Sequence, residues 1–242
     1  MFTRTSRPAP KPVVTTGDLV ASALVKTYPG AGIPALDGVG LAIAGGETVA
    51  IMGPSGSGKT TLLHLLAGVL TPTSGAVLWG GRDLATLGDA DRTRLRRTDF
   101  GFVFQSGHLL PELPAIENAA LPLMLAGLPR AEATARAATL FAPLGLETLT
   151  NRRPGELSGG QAQRVAIARA LVGDPGVVFA DEPTGALDQQ TGADVMHHLV
   201  TRCRAAGSSL VVVTHDENVA RWCERTVRLR DGRVVADERP VR

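Results

Sequence analysis

The chain has 242 residues, 25 of them Lys or Arg against 23 Asp or Glu, a net charge of +2, and 44% of its residues are apolar. That length holds one α/β domain of ordinary size with a small appendage, around a core that needs no covalent staple. Cys203 and Cys223 supply neither a disulfide framework nor metal-ligand spacing, as in a reducing cytosolic protein, and 4% aromatics with interleaved charges argue against a nucleic-acid partner.

Residues 1–16 carry Arg4, Arg7, Lys11 and three prolines, with no acidic residue and no signal-like apolar stretch, and read as a disordered tail. The pattern is extended over residues 19–28 and again over 41–52, and it returns at Ala76-Val77-Leu78-Trp79 before Gly80-Gly81. These predict a small antiparallel layer beside a main sheet. Residues 59–68 predict a helix whose apolar face is Leu62, Leu63, Leu65 and Leu66, with Gly68 near its end. Residues 111–157 have no strand pattern, and prolines at 111, 114, 122, 129, 143 and 154 mark turns between short helices. A further helix is predicted over 161–172, and residues 227–235 fold back through Asp231-Gly232, a favoured two-residue hairpin turn. No apolar run approaches the roughly 20 residues of a membrane-spanning helix. The longest candidate, residues 119–128, is broken by Pro122 and Gly127, so any work at a membrane would fall to a partner.

Four apolar tracts each stop at a group suited to phosphate or magnesium. Residues 49–52 run into a glycine-rich loop, 102–104 end at Gln105, 177–180 end at Asp181-Glu182, and 211–214 end at His215. Short runs of β-branched and aromatic residues predict strands buried on both faces of a parallel sheet. Such sheets bind ligands beyond the carboxyl ends of their strands.

The loop Gly53-Pro54-Ser55-Gly56-Ser57-Gly58-Lys59-Thr60 has P-loop spacing: glycine, four residues, glycine, lysine, hydroxyl. Its glycines let successive N–H groups face phosphate oxygens at a helix N-terminus, Lys59 would reach the β- and γ-phosphates, and Thr60 would offer its hydroxyl to Mg²⁺. Asp181 is placed to hold the metal through water, and Glu182, pointing another way, to face the attacking water as general base. Ser158 with Gln161 three residues on makes a capping box, and Gly159 and Gly160 between them leave helix-start amides uncovered, a second anion site.

In the order P-loop, Leu157-Ser158-Gly159-Gly160-Gln161, Asp181-Glu182, the chain resembles the ABC-type ATPases from residue 19 to residue 236. The resemblance implies an α/β P-loop NTPase with a mainly parallel core sheet, a small antiparallel β subdomain and an inserted helical subdomain. After the tail, residues 17–242 would be the ATPase domain: 17–105 and 162–242 the α/β core with its antiparallel layer, 106–161 the helical subdomain with the signature motif. It implies ATP and Mg²⁺ as cofactors and an ATP-dependent homodimer paired head to tail. There Ser158, Gly159, Gly160 and Gln161 of one subunit close on the γ-phosphate held by the P-loop of the other. It further implies that Tyr28 stacks on adenine, that Thr61 joins the P-loop residues in binding ATP, and that Asp188 lies in a loop crossing the dimer, although a helix N-cap suits Asp188 equally. Gln105 and His215 would act with Glu182 in catalysis, Gln105 sensing the metal and the attacking water beside Thr60 and Asp181, and His215 contacting the γ-phosphate. Thr60 stands where serine is more frequent and keeps the hydroxyl; Ala162 stands where a polar residue is common.

Residues 182–188, Glu-Pro-Thr-Gly-Ala-Leu-Asp, together with 117–123, Glu-Asn-Ala-Ala-Leu-Pro-Leu, are similar to the lipoprotein-release and macrolide-export subgroup, which includes cell-division relatives. That implies an integral-membrane permease on a separate chain and an ATPase in the cytoplasm, peripheral on the inner face of the cell membrane. The surface near residues 105–129 would receive the permease's coupling helix, although Leu109-Leu110 and residues 121–125 serve equally as core of the helical subdomain. The alternative is the ATPase of a cell-division or regulatory complex that signals across the membrane without transporting a substrate. A soluble repair or translation ATPase of this family would carry a long coiled-coil insertion or a second cassette, and a kinase has no use for the signature segment.

Overall fold

The computed structural model describes residues 17–30 and 32–239, so the tail expected at 1–16 lies outside the described residues. β1 (Leu19–Lys26) and β2 (Leu36–Ile43) pair antiparallel. The extended stretch expected over 41–52 is two strands, because the chain turns at residues 44–46 into β3 (Thr48–Met52), which belongs to another sheet. Gly46 takes φ 78° in that turn. α1 (Lys59–Leu66), β4 (Ser74–Trp79) and β5 (Arg82–Asp83) follow, and the antiparallel layer has the order β2-β1-β4-β5. Next come α2 (Asp89–Thr98), β6 (Phe100–Phe104), α3 (Ala115–Leu125), α4 (Arg130–Ala138) and three single 3₁₀ turns, the last at Pro154–Glu156. The chain closes with α5 (Gly159–Leu171), β7 (Val177–Asp181), α6 (Gln189–Ala206), β8 (Ser209–Thr214), α7 (Glu217–Ala220), β9 (Arg225–Arg230) and β10 (Arg233–Glu238).

The core sheet runs β10-β9-β3-β8-β7-β6, parallel except for β10. Its strands sort alternate residues to two cores, as the period of two demands. Ala50, Met52, Val178, Ala180, Leu210 and Val212 join the cluster formed with α5 and α6, whereas Val49, Ile51, Val177, Phe179, Val211 and Val213 face α1 and the antiparallel layer. The expectation of strands buried on both faces holds for β3, β7 and β8; in β6, Phe102 and Phe104 are only half-buried.

Pro114 and Pro129 cap α3 and α4, as expected of prolines that begin helices. Pro122 does not mark a turn: it lies inside α3. An interior proline costs about 3 kcal/mol of helix propensity, and the burial of Ala119, Ala120 and Leu123 beside it outweighs that cost. α5 begins at Gly159 rather than Gln161, because Ser158 caps it, and the helix crosses residues 161 and 162 without a break. Asp231 (φ 50°) and Gly232 (φ 72°) form the expected hairpin turn between β9 and β10.

Candidate active site

The parallel register brings the strand ends level. Met52 pairs with Thr214, Asp181 with Val213, and Phe104 with Asp181. The groups that follow each strand therefore emerge on one edge of the sheet.

After β3 the chain makes the glycine-rich loop and enters α1, whose start has no capping side chain and no acidic residue in its first turn. Its first N–H groups and the positive end of the helix are thus left for an anion. Gly58 at that start has φ 97°, and a Cβ there would lie 2.5 Å from the Ala35 carbonyl. The Lys59 ammonium folds back over the loop and donates to the carbonyls of Gly53 and Pro54, each at 2.9 Å.

Asp181 accepts a hydrogen bond from the Thr60 side chain. Burial pushes the Asp181 carboxyl up from its ordinary value and the Glu182 charge adds to this, while His64, the Thr60 bond and Lys59 oppose it. A carboxylate and a hydroxyl in contact, with a second carboxylate next in sequence, form an oxygen donor set suited to a hard divalent cation. Glu182 takes φ 47°, a left-handed conformation uncommon for a residue with a side chain. Its side chain meets the end of β8 and the residue that follows. Its Oε1 lies 2.8 Å from His215 Nδ1, and its Oε2 accepts from Thr214 Oγ1 at 3.2 Å. The Glu182 side chain is 22% exposed and that of His215 72%, so the imidazole covers the carboxylate from the solvent side.

Gln105 leaves the end of β6 and packs over Gly185, where a Cβ would meet its Nε2 at 2.8 Å. Thr60, Gln105, Asp181, Glu182 and Ala186, with Phe104 and His108 beside them, enclose a cleft of about 450 Å³. Tyr28 stands against the first turn of α1, its hydroxyl 3.3 Å from Thr61 Oγ1 and Lys26 Nζ 5.5 Å from the ring centroid. The structure thus gathers the P-loop, Tyr28, Thr61, Gln105, Asp181, Glu182 and His215 along one edge.

The signature segment does not line this cleft. The capping box is present: Gln161 N–H donates to Ser158 Oγ at 3.2 Å, and Ser158 N–H to Gln161 Oε1 at 2.9 Å. Ser158 and Gly159 are exposed, but Gly160 is buried, and a Cβ there would strike the Thr191 methyl at 2.3 Å. This glycine lets α5 meet α6. Asp188 caps α6, accepting from Thr191 N–H at 3.0 Å and Thr191 Oγ1 at 2.6 Å, bonds that hold its carboxyl below the ordinary range.

Some contributors are not evident in the sequence. Thr214 and His64 act on Glu182 and Asp181 from other elements. In α5, Gln163 is 2% exposed and donates to the Phe104 carbonyl at 2.8 Å, and Arg169 donates to the carbonyls of Gly107 and His108. Both hold the segment around Gln105, and their only sequence signal is a polar residue interrupting an apolar helix. Cys203 and Cys223 are buried, and burial pushes both thiols up to about 12. Among the described residues no group of three or more His, Cys, Asp or Glu forms a metal cluster.

A second hollow, about 570 Å³ and largely apolar, lies between α2, β6, α3 and α5. Phe100, Phe102, Leu121, Pro122 and Leu125 line it, with Arg96, Arg97 and Arg169 alongside. Residues 121–125 therefore divide between two jobs: Leu123 is core, whereas Leu125 is 62% exposed at the hollow.

Comparison with known proteins matches residues 36–185 to the family described as ABC transporter. The chain is 51% identical over 205 residues to the lipoprotein-releasing system ATP-binding protein LolD of Geobacter metallireducens, covering 85% of this chain and 91% of that protein. It is 49% identical over 205 residues to the macrolide export ATP-binding/permease protein MacB of Nitrosomonas europaea, covering 85% of this chain but only 31% of that longer protein. Among solved structures, the ATP-binding cassette MJ0796, a dimer bound to ADP and Pi, superposes with a TM-score of 0.83 at 43% identity, covering 91% of this chain and 98% of that one. With the level strand ends, the glycine loop and the carboxylate pair already described, these likenesses make the chain an ATP-binding subunit of the ABC transporter family, and an ATPase.

Proposed function

We propose that two copies of this chain close head to tail on two molecules of Mg·ATP and that hydrolysis reopens them, driving a separate membrane permease of the lipoprotein-releasing or macrolide-exporting type. The observation that carries this reading is the separation of two phosphate-seeking elements. The cleft at Thr60, Gln105, Asp181 and Glu182 lacks the signature segment, while Ser158 presents a capped helix start to solvent elsewhere on the surface. A second copy supplies what the cleft lacks.

In this mechanism Lys59 exchanges the carbonyls of Gly53 and Pro54 for the β- and γ-phosphate oxygens, a stronger charge-assisted pairing. The Thr60 hydroxyl and the Asp181 carboxylate would hold Mg²⁺, whose chemistry is to neutralise charge on the phosphates. Tyr28 offers a ring face to adenine, and Gln105 reaches the same cleft from β6. Glu182 takes the proton of the attacking water, oriented by the bonds from Thr214 and His215. In the closed pair the partner copy brings Ser158, Gly159, Gly160 and Gln161 to the γ-phosphate, and Asp188 lies beside the contact.

The permease is proposed to dock in the apolar hollow beside α3, whose basic rim suits a segment with an acidic residue among apolar ones. No helix among the described residues is long and apolar enough to cross a membrane; the subunit is proposed to sit peripherally on the cytoplasmic face through its permease. The test is Glu182→Gln with ATP and magnesium, followed by light scattering. A stable dimer that disperses when nucleotide is removed is expected, and a monomer at saturating ATP would overturn the proposal.

A further inference from the structure

The back of the glycine loop is closed by residues far away in sequence. A Cβ on Gly53, which has φ 154°, would lie 2.2 Å from the Leu229 carbonyl of β9. Gly58 meets the Ala35 carbonyl in the same way, and a Cβ on Gly232, in the β9–β10 turn, would lie 2.8 Å from that same oxygen. The Gly232 N–H donates to the Ser57 carbonyl at 3.2 Å, and the Gly232 carbonyl accepts from Asp37 N–H at 2.9 Å. Arg233, the next residue, grips the Asp37 carboxylate, its Nε at 3.0 Å. One turn therefore ties the loop to the start of β2.

The direction of one of these bonds matters for phosphate. In a planar trans peptide the carbonyl and the following N–H point in opposite directions. With the Ser57 carbonyl fixed on Gly232, the Gly58 N–H of the same peptide is turned away from the hairpin and off the packed back of the loop. We infer that the turn at Asp231-Gly232 is a positioning element for nucleotide binding: Gly232, through Ser57, sets the orientation of a phosphate-facing amide in a loop about 175 residues upstream. Gly232 qualifies on two counts, since it takes φ 72° and has no room for a Cβ. Ser57 is 3% exposed, so its peptide has no solvent to replace a lost partner.

The inference rests on the reading that the loop ending at Lys59-Thr60 holds the phosphates. The test is steady-state hydrolysis of Mg·ATP by Gly232→Ala, with thermal unfolding measured alongside. Loss of one oriented backbone bond is expected to raise KM for ATP about threefold to tenfold. The kcat at saturating ATP should stay within about twofold, because no group near Glu182 is touched. A general loss of fold would instead lower Tm and the active fraction without this split. Should Gly232→Ala fail to fold, Arg233→Ala decides, since it loosens the turn without adding an atom, and a rise in KM of about twofold to threefold is expected. Parental KM in the folded variant overturns the inference, as does a kcat that falls with KM unchanged. Lys59→Ala separates this from failure of the underlying reading: if it too retains parental KM, the loop is not the phosphate site, whereas its loss beside an unaffected Gly232→Ala sinks the hairpin role alone.

Discussion

At Glu182 a strained backbone and two side-chain bonds fix one carboxylate. With φ 47° and contacts to Thr214 and His215, it is held at the cleft wall, apart from Asp181. Glu182→Gln is expected to slow hydrolysis by about 10²- to 10⁴-fold while ATP binding, read by equilibrium titration, is kept; turnover at the parental rate would remove the residue from the mechanism. A different carboxylate reports on stability. The Arg225 guanidinium, shared with buried Glu47, holds the Asp237 carboxyl below its ordinary value. Because the folded value is depressed, the pair stabilises the fold above the ordinary carboxylate value of about 4. Its contribution fades as pH falls through the lower, folded value. Asp237→Asn should lower Tm at pH 7 and match the parent in strong acid, whereas a Tm difference that persists there would remove the pair as its cause. Residues joined by local spacing, such as Lys59 to Thr60 or Asp181 to Glu182, were legible in the sequence. Thr214, His64 and Gln163 were not, since each meets its partner only through strand register or helix packing.

Among the elements, α5 links three regions. Its cap is the exposed signature, Gln163 and Arg169 clasp the strand end and loop around Gln105, and its last turn lies on Gly101 of β6, where a Cβ would be 2.3 Å from the Ala170 carbonyl. Gly101→Ala is expected to destabilise the fold by about 1–3 kcal/mol through overpacking, read as a lower urea midpoint. A midpoint equal to the parent's would show that the contact yields freely. Helices with a sustained apolar face or a cap were legible: α1 by its leucines, α5 by its capping box. α2 was not, because only Leu95 of its ten residues is buried and the helix is held from outside, by bonds such as Arg96 to the Gly68 carbonyl. α6 repeats Val195, Met196, Leu199, Val200 and Cys203 at helical spacing, although no helix was expected there. The prolines misled only at Pro122, where tertiary packing overrides propensity.

For the whole molecule, the apolar hollow beside α3 is the surface proposed above to receive a membrane partner. Leu125→Asp places a charge at an exposed position there, at a residue that does not line the cleft. ATPase activity of the isolated subunit should remain within about twofold, since surface changes away from special features shift stability by only about 0.5 kcal/mol. Stimulation by a reconstituted permease should be lost; full stimulation would move the docking surface elsewhere. The sequence by itself determined the ATPase family and the class of fold, because the P-loop, the carboxylate pair and the capping box are local strings recognisable by their spacing, and the apolar tracts dictate buried parallel strands. Only the tertiary structure decided which groups share a cleft and which do not. Strand register leveled four distant chain segments at one edge, while helix packing left Ser158 outside it, and neither is written in any stretch of neighbouring residues.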